Sequence, residues 1–338
     1  MTSIFSEVSK ELIFPPLSAI TKKVKNIIFS KTSNKLLTNT FAVSGIALFC
    51  TILWGTAFPA IKIGYRLFDI QNTDTPSILI FAGARFAIAG LIVLAIGLIR
   101  KPKEMIIHKK DIIPIGILGF FQTFLQYLLL YIGLLNVSGT KSSLLTSVAA
   151  FGSVILSAVF FQSDKLSFKK IFGCLVGISG IVVITLSGGD LGGFSLIGDG
   201  LVILSNLSGA FGNVISKKIS PNRNPVQISG WQLTFGGSAL IITGLLFGGK
   251  LIFYNIQCVL ILLYLAFMAG IAFMLWTMLL FHNPVSRVAV FNLFIPVFGT
   301  MWSGIFLNEN IFTLTNIISL LLVCSGVFLV NFKTINKI

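Results

Sequence analysis

Charge is what this chain has least of: only 10% of its 338 residues are charged, while 55% are apolar. Soluble globular proteins carry about 25% charge, so a water-soluble domain is excluded. Acids are scarcest. The ten Asp and Glu are dispersed, with Asp69, Asp74, Asp190, Asp199 and Glu309 in one set of loops, Glu104, Asp111 and Asp164 in the other, and Glu7 and Glu11 near the N-terminus. That scatter offers no carboxylate cluster for metal or acid–base chemistry. The two histidines, His108 and His282, have no carboxylates at ligand spacing, so neither a metal site nor an intramembrane proton relay is expected. Cys50, Cys174, Cys258 and Cys324 stand singly without a CxxC pair and read as packing residues rather than disulfides or zinc ligands. No cofactor is expected. The first 40 residues lack an apolar core followed by a small-residue cleavage site, so no secretory signal is expected either.

What is present is long apolar runs. Ten blocks, at about 42–64, 77–99, 112–135, 142–162, 168–187, 196–216, 226–248, 256–281, 286–307 and 312–332, each approach the roughly 20 residues that cross a hydrocarbon core as a helix. The net charge of +15 is decided by placement. With the N-terminus inside, 20 of the 25 Lys and Arg fall on the inner side: the arm, the connections around 100–110, 165–170 and 217–223, Arg287, Lys333 and Lys337. This bias sets topology, so no nucleic-acid partner is expected. Both termini are expected to be cytoplasmic in a multi-pass plasma (cell inner) membrane protein, with anionic lipid at its cytoplasmic face. Residues 17–29 read equally as a short basic amphipathic helix on that lipid or as a solvated arm.

An internal repeat organises the chain. A shift of 147 superposes Gly83, Gly90 and Gly97 on Gly230, Gly237 and Gly244. It also matches Phe120 with Phe267, Asn136 with Asn283, and Phe151-Gly152 with Phe298-Gly299. Identity at this shift is sparse, so the glycine spacing carries the argument: seven residues are nearly two turns, and each trio makes a bare ridge that a neighbouring helix can approach closely. Ser179-Gly180-Ile181-Val182 meets Ser325-Gly326-Val327-Phe328 at nearly the same shift. Each half therefore holds five spans, and an odd count inverts the second half. The expected fold is an all-α integral membrane bundle of ten transmembrane helices in two inverted five-helix repeats, 42–187 and 196–332, after a basic arm at 1–41.

Leu53-Trp54-Gly55-Thr56-Ala57-Phe58-Pro59-Ala60-Ile61-Lys62, and Arg85-Phe86 followed by Ala89-Gly90-Leu91, resemble the opening of the EamA-type repeat of the drug/metabolite transporter superfamily. The stretch from Asn136 through Gln162-Ser163-Asp164-Lys165 to Ile184 resembles its end, and Asn283 through Asn308-Glu309-Asn310 to Val330 a second copy. The resemblance covers about 42–332. It implies ten helices in two inverted repeats and the export or exchange of a small metabolite, without selecting the solute.

Two cations lie inside apolar blocks. Arg85 is about eight residues, or about 12 Å, from the outer start of its block. A charge at that depth is a functional candidate; it reads either as a substrate contact or as a tie to a backbone carbonyl or a loop carboxylate such as Asp199. It points away from the glycine ridge, and its repeat mate is Gln232. Lys62 either snorkels to the headgroups or faces the pathway. Together they suggest a solute with a carboxylate or other anionic group. Trp54, Phe58, Gln122, Gln126, Tyr127, Tyr131, Trp231 and Trp276 supply apolar walls and polar anchors. Trp231 also suits an interfacial belt. Asn206, Asn213 and Asn292 read as interhelical hydrogen-bonding groups, with Asn213 also a site candidate. Pro59 and Pro296 favour kinks. Gly173-x-x-x-Gly177 is a packing motif that serves one chain or a homodimer.

The Walker-like spacing at Gly244 to Lys250 fails, because Leu251 replaces Ser or Thr. The sequon Asn206-Leu207-Ser208 lies at membrane depth. The leading expectation is a non-enzymatic secondary transporter of a small, amino-acid-like or anionic metabolite, working by alternating access with exchange or gradient-driven flux. The competing expectations are a lipid-linked transferase and a non-transporting membrane scaffold.

Overall fold

The computed structural model describes residues 37–71, 73–161, 167–186, 194–221, 223–309 and 312–335. Residues 1–36 of the basic arm, with the stretch 17–29, lie outside the described residues, as do Gln162-Ser163-Asp164-Lys165, Asp190 and Asn310. Among the described residues the chain is helical, with no strand. Helix α1 spans Thr40–Leu67 and α2 Thr75–Arg100. Helix α3, Lys109–Leu134, carries a π-helical stretch at Phe120–Leu125. Helix α4 is Gly139–Phe160 and α5 Phe168–Leu186. A π turn, Leu196–Gly200, opens α6, Leu201–Ile219. Then come α7, Pro225–Leu246, and α8, Ile256–His282. Short helical turns over 285–293 lead into α9, Phe294–Leu307, and α10 is Leu314–Ile335.

Composition explains why these segments are helices. Six stretches (α1, α2, α3, α4, α8 and Arg287–Leu307) are long and apolar enough to cross a membrane, and two more, 170–183 and 314–326, are apolar over shorter lengths. Five helix starts carry side-chain caps: Asn39 at α1, Asp74 at α2, Ser138 at α4, Asn224 at α7 and Asn255 at α8 accept first-turn amides. Each satisfies donors that a helix start leaves bare.

The two glycine ridges face each other. A Cβ on Gly83 would lie 2.6 Å from the Gly237 carbonyl oxygen, and one on Gly90 would lie 2.6 Å from that of Gly230. As the chain advances along α2 its contacts recede along α7, so the helices are antiparallel and touch backbone to backbone. Gly97 departs from the pattern and faces the Met105 side chain. A second seam joins α5 to α10: a Cβ on Gly180 would lie 2.8 Å from the Ser319 oxygen, and one on Gly326 would lie 2.6 Å from that of Gly173. The Gly173-x-x-x-Gly177 motif thus packs within one chain. Gly83→Ala is expected to cost about 1–3 kcal/mol through overpacking, read as a lowered melting temperature in detergent. Gly45, with nothing within 4 Å of its Cβ position, should accept Ala without loss.

Polar ties bind the helix ends into two layers. In one layer, Cys258 Sγ donates to the Leu67 carbonyl at 3.2 Å and the Lys250 amide to Ser77 Oγ at 2.9 Å. In the other, Asn283 Nδ2 donates to the Leu37 carbonyl at 2.8 Å and Arg287 Nη2 to Thr40 Oγ1 at 2.9 Å. Lys62 belongs to the first layer and Lys217 to the second.

Candidate functional site

Between the layers lies a cavity of about 100 Å³ whose walls come from α1, α2, α3, α4, α6, α8, α9 and the turn before α9. Trp54, Phe58, Arg85, Gln122, Gln126, Tyr127, Asn213 and Trp276, eight of the expected site residues, line it. Glycines admit the long side chains. A Cβ on Gly209 would lie 2.6 Å from Gln126 Oε1, and one on Gly212 would lie 2.6 Å from the Gln122 Cβ. Gln122 sits in the π-helical stretch of α3. Such bulges offset the side-chain register of the turns on either side and recur at functional sites.

Arg85 is the only charged side chain of this lining, and it is 1% exposed. Its Nη1 donates to the Tyr131 hydroxyl at 2.8 Å, and its guanidinium carbon lies 4.6 Å from the Phe86 ring centroid and 5.8 Å from that of Tyr127. Ring faces and one hydroxyl hold the cation in place without neutralising it. Among the described residues Arg85 forms no ion pair, and its Nε has no hydrogen-bond partner. Asp199, the carboxylate considered for it, pairs instead with Lys141 at 2.9 Å, with side chains 2% and 0% exposed. The Ser195 amide also donates to Asp199, at 2.7 Å.

The amides form a chain around the opposite wall. Gln122 Nε2 and Trp276 Nε1 donate to Asn213 Oδ1 at 3.2 and 3.3 Å, and Asn213 Nδ2 donates to Ser153 Oγ at 3.3 Å. Trp54 stacks edge-on with Trp276 and Phe273, with centroids 4.9 and 5.6 Å apart. Trp54 Nε1, Gln122 Oε1 and Asn292 Oδ1 are buried without a hydrogen-bond partner among the described residues. Each such atom costs about 1–3 kcal/mol if it stays unmatched. The lining therefore presents unused donors and unused acceptors.

Three expected site residues lie outside the lining. Tyr131 stands behind Arg85 and accepts its hydrogen bond. Gln232, fully buried, accepts from Thr123 Oγ1 at 2.6 Å. Lys62 Nζ donates to the Val137 carbonyl at 2.9 Å and borders a separate recess with Tyr65, Arg66 and Asp69. Trp231 donates to the Met105 carbonyl at 2.9 Å. Asn206 and Asn292, read from sequence as interhelical hydrogen-bonding groups, line the cavity, as do Thr146 and Phe273. Phe273 was findable, since it precedes the site residue Trp276 by three and shares its helix face.

At opposite ends of the molecule two lysines do the same work. Lys62, near the end of α1, holds the connection that follows α3. Lys217, near the end of α6, donates to the Leu280, Phe281 and Asn283 carbonyls at the end of α8, at 2.8, 3.2 and 3.1 Å. Both supply positive charge where a helix C-terminus exposes carbonyls.

The family model described as "EamA-like transporter family" matches residues 42–186 and 196–332, most of the chain. The chain belongs to the EamA-like transporter family. It is 28% identical over 259 residues to the uncharacterized transporter YetK of Bacillus subtilis, covering 75% of this chain and 78% of that protein. It is 26% identical over 301 residues to a probable amino-acid metabolite efflux pump of Escherichia coli, covering 84% and 93%. A protein of the same description from Salmonella typhimurium is 27% identical over 280 residues, covering 79% and 87%. A solved crystal structure shares the fold at a TM-score of 0.67 and 18% identity, covering 88% of this chain and 99% of that one. This EamA-like chain is accordingly a multi-pass membrane transporter of the drug/metabolite superfamily, and Arg85 and its aromatic frame lie within the first of the two matched segments.

Proposed function

We propose that the chain is a secondary transporter of a small organic metabolite bearing an anionic group, amino-acid-like in character, that works by alternating access. The observation that carries the reading is Arg85: a buried guanidinium at mid-depth, held by a hydroxyl and two rings, facing a cavity lined by no Asp or Glu. Taking a charge out of water is costly unless it is paired. A carboxylate reaching Arg85 would complete the pair and add charge-assisted hydrogen bonds. Gln122 Oε1 and Asn292 Oδ1 would accept from an ammonium or amide on the same solute. Two relatives carry the description of probable amino-acid metabolite efflux pumps, which supports this choice of class.

The reading includes ten spans in two inverted repeats, in the plasma membrane, with both termini cytoplasmic. Contact symmetry supports it. Gly83 meets Gly237, and their counterparts at the shift of 147, Gly230 and Gly90, meet each other. Repeat mates that lie antiparallel are inverted copies. The lysine ties support it too, because Lys62 closes one end within the first half and Lys217 the other end within the second. Both ties are made in this structure, which suits an occluded conformation. Opening toward either side would then break one and keep the other, with export or exchange as the net result.

The test is counterflow in liposomes. Purified protein is preloaded with single members of a panel of amino acids, their uncharged amides and matched amines. Acids are expected to exchange, and the corresponding amides and amines to exchange at least about tenfold more slowly, the loss of one charge-assisted bond. Equal rates for acids and amides, or exchange of none of the panel, would overturn the assignment.

A further inference from the structure

A larger recess lies in the second layer, away from the cavity. It occupies about 690 Å³ between the connection joining α2 to α3 and the one joining α6 to α7. Polar ties hold its walls. Arg223 Nε donates to Asp111 Oδ1 at 2.7 Å, Gln227 Nε2 to the Ile106 carbonyl at 2.7 Å, and Trp231 Nε1 to the Met105 carbonyl at 2.9 Å. Asn224 donates to Glu104, which also pairs with Lys101 at 2.7 Å. The Lys101 ammonium beside Glu104 holds that carboxyl below its ordinary range. Both acids of the recess are thus taken up by its own walls.

Two of its cations are not. Lys103 and Lys110 border the recess and form no ion pair among the described residues. With Arg223 they leave the recess net positive. In the connection that borders it and the two helices that connection joins, Ile106, Ile99 and Ile113 are 61%, 79% and 72% exposed, a surface suited to acyl chains in a membrane protein. We propose that this recess is a binding site for an anionic phospholipid, its phosphodiester held by Lys103 and Lys110 and its acyl chains lying on the neighbouring isoleucines. Basic pockets between helices at a membrane face take such headgroups. The site rests only on the chain's crossing a membrane and is independent of which solute it carries.

The test is native mass spectrometry of the full chain in neutral detergent with dioleoyl phosphatidylglycerol or dioleoyl phosphatidylcholine. The anionic lipid is expected to be retained about tenfold better, and K103Q/K110Q to remove that preference. Lys250→Gln, in the other layer, should leave it intact. Unchanged melting temperatures without lipid would show that the variants fold. Equal retention of the two lipids, an unaffected K103Q/K110Q, or full displacement by millimolar glycerol phosphate would overturn the lipid assignment, the last by showing a site for soluble phosphate. Because no transport is measured, a failure here is separable from a failure of the transport reading.

Discussion

Arg85→Ala is expected to lower counterflow of the preferred anionic solute by about 100-fold, the equivalent of losing roughly 3 kcal/mol of charge-assisted hydrogen bonding. Arg85→Lys should recover little of it. An ammonium offers a point charge where the guanidinium offers a planar set of donors, and it cannot lie against Phe86 and Tyr127 in the same way. Tyr131→Phe should weaken transport by about tenfold at most, because it removes one hydroxyl that orients Nη1 and leaves the charge in place. The melting temperature of each variant in detergent separates loss of function from loss of fold. Normal counterflow by a folded Arg85→Ala protein would sink the proposed role.

Lys141→Met should damage the fold more than any other single change considered. Among the described residues it leaves the carboxylate of Asp199, 0% exposed, with the Ser195 amide as its one remaining hydrogen-bond partner. Removing one partner of a buried ion pair costs about 3–5 kcal/mol, whereas replacing both partners is often neutral. The paired change K141M/D199N should therefore restore most of the lost melting temperature, since Asn keeps an acceptor for Ser195. If Lys141→Met melts like the parent, the pair contributes nothing to stability.

Much of the architecture was legible in the residues, and for identifiable reasons. Apolar runs of membrane length, capped by Asn and Asp, became helices because nothing else satisfies the backbone in hydrocarbon. The glycine trios marked a close approach, and the repeat placed one trio in each half, although only the structure showed that the two ridges meet. Residue type was enough to pick out Arg85 and most of the Trp, Tyr and Gln residues that meet at the cavity. Type could not say which neighbour each would choose. Lys62 and Trp231 donate to backbone carbonyls, acceptors that every residue carries and that no composition reveals. Asp199 chose Lys141 over Arg85 because α4 and the start of α6 meet there, a matter of helix neighbours and not of depth. Tyr127 and Tyr131 share a helix face by spacing, yet one lines the cavity and the other supports the guanidinium behind it.

The Lys141–Asp199 pair also constrains the order in which contacts can form as the chain is made. Asp199 follows Lys141 by 58 residues. Glu309, whose carboxylate accepts the Gly139 and Thr140 amides at the start of α4, follows them by about 170. A nascent chain must therefore hold the first turn of its fourth helix, with a lysine bound for a dry site, until the sixth helix and later the ninth emerge. Chains halted before residue 199 carry that lysine without its acid, and those halted before 309 leave the Gly139 and Thr140 amides without the Glu309 carboxylate. In the finished protein this corner reports on whether synthesis reached the far half of the chain.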